Sequence, residues 1–255
     1  MKYLYIISLF FLGVACSDGS SEKIDDGTSE GNGEVQETLE QKMVRHIEGN
    51  LAILGTEKYS YEIFSEYLNG DDSIDYVITV NRLENALDNA IKSSNTAQRA
   101  EMGYMGKYNF IFYMDGATKD ITPAIPVASS PHAELDVTFA NIRSEAYKDI
   151  MVDFRVRNSC FRRFFTVVNK IPLQTFETKI FDYLGEENAE AYSIKFEPGS
   201  YSLAKDIYVY KADIENVTIK SMNDVYAIYP KITPTDQLDR KWFFNDHMHK
   251  YFTEK

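Results

Sequence analysis

KDIMVDFRVRNSCFRRFFTVVN, residues 148–169, alternates apolar and polar side chains, breaks at a short polar stretch, and resumes as a run rich in aromatic and β-branched residues. Ile150, Val152, Phe154 and Val156 fall on one side of an extended chain, with Asp149, Asp153, Arg155 and Arg157 on the other, as the two-residue period of a strand requires. Asn158, Ser159 and Cys160 supply the turn, and FRRFFTVVN returns as the partner strand, which predicts an antiparallel hairpin. With Ser159 and Cys160 at its tip, Arg157 stands opposite Arg162.

The same cadence extends in both directions. Tyr59, Tyr61 and Ile63 alternate with Ser60 and Glu62. YNFIFYMDG (108–116), LQTFETKIFDYL (173–184), EAYSIKFE (190–197), DIYVYKA (206–212) and VYAIYP (225–230) read as further strands, separated by turn chemistry such as Glu197-Pro198-Gly199-Ser200. Two helices frame them. Thr38 stands three before Gln41 in a capping-box arrangement, ahead of Leu39, Met43, Val44 and Ile47 on one helical face. TPTDQLDRKWFFNDHMHKYF (233–252) reads as a C-terminal helix capped by Thr235 or Asp236. Residues 82–102, with Leu83, Leu87 and Ile91 four apart, are either a helical insertion or a long excursion from a sheet, and the proline-rich 121–135 marks an internal boundary. The expected fold is mainly β within the α+β class: an antiparallel, β-rich domain over 39–255 with an N-terminal and a C-terminal helix. Two repeated halves or a partial propeller-like arrangement are the topologies considered for it.

Bulk composition narrows the function. The chain carries 27 Lys and Arg against 39 Asp and Glu, a formal charge of −12, which excludes a polyanion such as nucleic acid as partner. Eighteen tyrosines and sixteen phenylalanines favour strands and interfaces.

The N-terminus speaks to location. One lysine precedes an apolar run, Tyr3 to Val14, too short to span a bilayer comfortably, so residues 1–15 are expected to be a secretory signal. The run ends in Leu12-Gly13-Val14-Ala15-Cys16, which resembles a bacterial lipobox, with Gly13 where a larger apolar residue is commoner. The resemblance implies acylation of Cys16. Residues 16–38 then form an acidic tether with almost no large apolar side chain. Asp18, Glu22, Asp25 and Asp26 resemble the surface-export signals of Bacteroidota lipoproteins, which implies an outer-membrane, lipid-anchored protein facing the cell surface; a merely solvating linker is the other reading. Cys160 is left without a partner and is expected to be a small buried side chain.

EYLNGDDSIDYVITV (66–80) places short acidic and amide side chains before a strand, the ligand type that calcium prefers. It resembles the loops of FG-GAP and VCBS repeats, which implies Asn69, Asp71 and Asp75 as calcium ligands. Tyr67 stands at that pattern's first acidic position and Asp72 at its glycine, so a turn that launches a core strand is the competing reading and the one preferred here. A second copy lies 74 residues on, where Asp149 matches Asp75, but Arg143 at a ligand position makes that copy metal-free.

No nucleophile elbow, phosphate-binding loop, zincin motif or zinc cysteine pair is present, and His46, His132, His247 and His249 are scattered. No catalytic residue is assigned. Arg155, Arg157, Arg162 and Arg163 cluster on the 148–169 hairpin, either as a patch for an acidic partner or neutralised by neighbouring carboxylates. The expectation is therefore a non-enzymatic accessory or binding subunit of an outer-membrane complex, with barrel-assembly and SusCD-type transport assemblies as examples and a barrel or another surface protein as partner. A calcium-dependent ligand-binding or inhibitor domain is the alternative, and a hydrolase the weaker one.

Overall fold

Antiparallel pairing between chain neighbours generates nearly all of the architecture. The structure, a computed structural model, describes residues 37–95 and 106–254; the signal, Cys16 and the tether up to residue 36 lie outside the described residues. The first sheet contains β1 (Ser60–Glu66), β2 (Asp75–Asn81), β3 (Gly106–Met114) and β4 (Ile125–Ser129), in chain order. The second is an eight-stranded meander of β5 (Asp136–Ala140), β6 (Asp149–Val156), β7 (Ser159–Val168), β8 (Ile171–Asp182), β9 (Glu190–Glu197), β10 (Asp206–Ile214), β11 (Ile232–Asn245) and β12 (Lys250–Phe252). The break between the sheets falls at 130–135, while residues 38–255 form one compact unit. Four strands facing eight are neither equal repeated halves nor blades of a propeller.

Helix α1 (Leu39–Leu51) begins in the expected capping box of Thr38 and Gln41 and buries Met43 and Ile47. These lie on Ile78, Val80, Phe110, Phe112 and Met114 of the first sheet's outer face. The inner face, with Val77, Ile111, Tyr113 and Val127, packs on Val137, Ile150, Val152, Phe154, Phe165 and Val167 of the second sheet. Strand β6 is buried on both sides, which is why Met151 interrupts the alternation with a further apolar residue.

Beyond that sandwich the second sheet curls on itself, bringing β12 into contact with β8. Its concave side is lined by Met151, Phe164, Phe176, Ile207, Val209, Phe244 and Tyr251, with Tyr192, Phe196 and Trp242 packed against them. Each such side chain, fully buried, contributes about 1.5–3 kcal/mol of transfer free energy. Seven of the chain's aromatic residues go into this second core.

Two local expectations are corrected, and a third, left open between two readings, is decided. Residues 233–252 are not a helix but most of β11, a turn at 246–249, and β12; Trp242, Phe244 and Tyr251 fill the concave core at strand spacing, which a helix would have dispersed. The last helix of the described chain is the short α3 (Met222–Ala227), which takes the start of the expected strand at 225–230, because Ser221 and Asp224 form a capping box. Within 82–102, α2 (Leu83–Lys92) is helical and buries Ala86 and Ala90, and residues 96–102 lie outside the described residues. The outer edge of β11 is covered by β12 only at Phe243, Phe244 and Asn245. Pro234, two register breaks against β10 and the charges of Asp236, Asp239, Arg240 and Lys241 blunt the remainder against strand addition.

Candidate functional site

The loop at 67–74 belongs to a set. Three hairpin loops of eight residues, 67–74, 141–148 and 198–205, each end in an aspartate that opens the following strand: Asp75, Asp149 and Asp206. All three aspartates are buried, and each carboxylate accepts a backbone N–H from within its own loop: Leu68 at 3.2 Å, Arg143 at 2.7 Å and Ser200 at 2.9 Å. The loops lie side by side. Lys148 N donates to Tyr67 O at 2.9 Å and its Nζ pairs with Glu66, while Lys205 N donates to Ile142 O at 2.8 Å and its Nζ to Asn141 O and Glu145. The third loop escaped the sequence reading, although Lys-Asp-Ile recurs at 148–150 and 205–207.

The structure brings Asn69, Asp71 and Asp75 together, with Asp115 from the end of β3. The oxygens converge on Asn69 Nδ2: Asp71 Oδ2 at 3.0 Å, Asp115 Oδ2 at 3.1 Å, Tyr113 Oη at 3.2 Å and Asp75 Oδ1 at 3.4 Å. An amide nitrogen donates, so a hydrogen-bond donor holds the point at which a cation would be ligated. Asn69 Oδ1 accepts from Asp71 N and Asp71 Oδ1 from Ser73 N, the hydrogen bonds of an Asx turn. Gly116 N donates to Asp75 Oδ1 at 2.8 Å, and a Cβ at Gly116 would lie 2.0 Å from Ile74 O, which fixes glycine there. Among the described residues no group of three or more His, Cys, Asp or Glu is arranged to hold a metal ion.

Burial holds the carboxyls of Asp75 and Asp149 above their ordinary range, against the hydrogen bonds they accept. At Asp115 burial acts in the same direction, but hydrogen bonds from Thr118 and Lys170 outweigh it and hold that carboxyl below the ordinary range.

On the 148–169 hairpin the tip is Arg157-Asn158, not Ser159-Cys160. Arg157 takes φ 52°, a two-residue turn forms, and the register pairs Arg162 with Asp153 rather than with Arg157. The four arginines do not form one patch. Arg162 is bidentate on Asp153 at 2.6 and 2.7 Å, Arg163 pairs with Glu177 at 2.7 Å and covers Phe154, and Arg157 is exposed in the turn. Arg155 is 2 % exposed: Nη1 donates to Ile228 O at 3.2 Å, Nη2 to Val225 O, and the guanidinium lies over Phe181 and Tyr229. It caps α3 from beneath.

Cys160, His46 and His132 are engaged in the packing and hydrogen bonding of the fold. Cys160 is buried, and burial pushes its thiol up to about 12. His46 Nε2 lies 3.1 Å from Thr122 O with its ring edge-on to Phe112, and His132 stacks on Tyr226. His247 and His249 are at the β11–β12 turn.

One surface is concave and polar. Where the curled second sheet stops being filled by its core, a cleft of about 230 Å³ opens, lined by Thr178, Lys179, Tyr192, Val209, Asp239, Arg240 and Trp242. Two bulges shape it. In β8 the partners jump from Phe161–Lys179 to Cys160–Phe181, and in β11 from Val209–Arg240 to Tyr210–Leu238. The bulges lie beside the adjacent pairs Thr178-Lys179 and Asp239-Arg240, both members of which line the cleft, whereas neighbours on a regular strand would face opposite ways. Arg240 lies over Trp242, its guanidinium carbon 5.8 Å from the ring centre. Lys179 is tied to Asp182 and to Glu190, the latter at 3.2 Å. Burial, then a hydrogen bond to Glu190 and the nearby charge of Asp239, raises the pKa of Tyr192. Sequence reading missed this site because its residues sit on four strands and in a segment that reads as helical.

No protein-family model, curated protein or solved structure matches the chain.

Proposed function

We propose that the protein is a lipid-anchored, cell-surface accessory subunit of an outer-membrane protein complex, one that binds rather than catalyses, with the cleft of the second sheet as its binding site. The observation that carries the binding reading is the pair of bulges beside that cleft. A bulge interrupts a ladder and re-aims the neighbouring side chains, and here two of them turn Thr178-Lys179 and Asp239-Arg240 toward one concavity. The anchor and the surface location are supported by the lipobox-like run ending at Cys16 and the acidic residues behind it.

The test is affinity purification of the full-length protein from gently solubilised outer membranes. A barrel protein should be recovered in fixed ratio, and Cys16→Ser should release the chain from the membrane fraction. Recovery of the lipoprotein alone would sink the accessory-subunit reading.

A further inference from the structure

We infer that the cleft between β8 and β11 takes a neutral saccharide, an inference that rests on the binding reading of that cleft. Charge is the first argument. Lys179 and Arg240 stand beside Asp239, and Asp182 and Glu190 already hold Lys179. An anionic ligand would meet Asp239; a cationic one would meet Arg240. A neutral ligand incurs neither repulsion.

The second argument is the spacing of donors and acceptors. The Asp239 carboxylate only accepts, the Arg240 guanidinium only donates, the Thr178 hydroxyl does both, and the Tyr192 oxygen, whose proton goes to Glu190, is left to accept. A ligand that satisfies such a set must offer donors and acceptors on adjacent atoms, as vicinal hydroxyl groups do. Charged partners make these the stronger class of hydrogen bond.

The third argument is shape. Trp242 and Tyr192 are half-buried at the cleft, with Val209 buried beneath, so a sugar ring that lies beside Arg240, or displaces it from the indole, turns its C–H face to aromatic carbon. At about 230 Å³ the cleft is below the size that encloses drug-like molecules, and it is open, so one ring can seat while a chain continues outward.

Trp242 is the only tryptophan of the chain, so intrinsic fluorescence reads the cleft directly. The full chain is titrated with neutral probes (maltoheptaose, cellohexaose, mannohexaose and xylohexaose), with polygalacturonate and chitosan oligomers as charged controls. Expected is a saturable change with at least one neutral probe, weakened about tenfold or more by Asp239→Asn and by Arg240→Gln, the loss of one charge-assisted hydrogen bond. Both side chains are exposed, so the melting temperature should hold and the loss will not be a folding defect. Saturation by a charged probe alone, by no probe, or equally in both variants would overturn the inference. Co-purification separates the two failures: if the variants still recover the barrel partner while no neutral probe binds, the saccharide is wrong and the accessory reading stands. If they lose the partner and no neutral probe binds, the cleft is a protein contact and the saccharide is wrong.

Discussion

Asn69 Nδ2 lies 3.1 Å from Asp115 Oδ2, bridging positions 46 residues apart and joining the loop before β2 to the end of β3. The amide lends its hydrogens to a place where three carboxylates and a phenol crowd, and its hydrogen bonds hold them together. Calcium and chelator should therefore leave the thermal midpoint of the unaltered protein unchanged. Asn69→Asp replaces the donor by a further carboxylate and should cost about 1–3 kcal/mol in chelator, partly recovered by millimolar calcium through mass action. Stabilisation of the unaltered protein by calcium would show instead that Asn69 turns its oxygen inward and that the loop binds the ion.

Asp149 titrates in the opposite sense to a paired surface carboxylate. Its folded pKa is raised by burial, so the native state holds a proton more readily than the unfolded chain. The stability it contributes is fully present below the unfolded value near 4 and is lost as pH rises through the folded value. Asp149→Asn has no such loss. Urea denaturation at pH 4.5 and 7 should show the variant gaining on the parent as pH rises; a gap that stays constant or widens the other way would mean that the hydrogen bond from Arg143 N dominates.

The β class and the polarity of β6 were legible because a two-residue period survives any tertiary context: Ile150, Val152, Phe154 and Val156 all face the sandwich core. The capping box at Thr38 was legible because it is a local contact. What failed depended on distant partners. Residues 233–252 carry Leu238, Trp242 and Phe252 at spacings that fit a helix, and only pairing with β10 decides for a strand. The hairpin tip was misplaced by two residues because Arg157 accepts a left-handed backbone that usually signals glycine or asparagine. The cleft was illegible altogether, since a bulge leaves no mark in sequence that distinguishes it from a regular strand.

Cys160 offers a direct probe of global opening. Its sulfur is buried with Phe181, Leu184 and Ala191, and burial keeps the thiol protonated at neutral pH. Iodoacetamide should leave it unlabelled in native buffer and label it fully in denaturant, with intermediate rates tracking unfolding, as intact mass will report. Rapid native labelling would place it in a mobile region and remove it from the core.

Arg162 stands between two carboxylates. It is bidentate on Asp153, and Asp153 faces Asp136 across the β5–β6 pair. Removing the guanidinium leaves like charges opposed, so Arg162→Ala should cost about 2 kcal/mol at pH 7, less than a fully buried pair because both side chains keep some contact with water. Burial, then the charge of Asp153, holds the Asp136 carboxyl above its ordinary range, so acidification neutralises it and the deficit should narrow towards pH 4. Asp153→Asn in the same chain should restore part of the loss, as a double-mutant cycle by chemical denaturation will measure.

Arg155 is a buried cation whose described partners are carbonyls and ring faces. Val225 O and Ile228 O accept from its two terminal nitrogens, at the end of α3, and Phe181 lies beneath the guanidinium at 4.7 Å. A lysine keeps the charge but neither the planar face nor the paired donors, so Arg155→Lys should cost about 2 kcal/mol. The loss should be local first. Six residues are too few to hold a helix alone, so the amides of 225–228 should lose hydrogen-exchange protection while those of β6 and β7 keep theirs. Unchanged protection in α3 would mean that the stacking of Tyr226 on His132 and the packing of Val225 on Ala133 anchor the helix without the arginine.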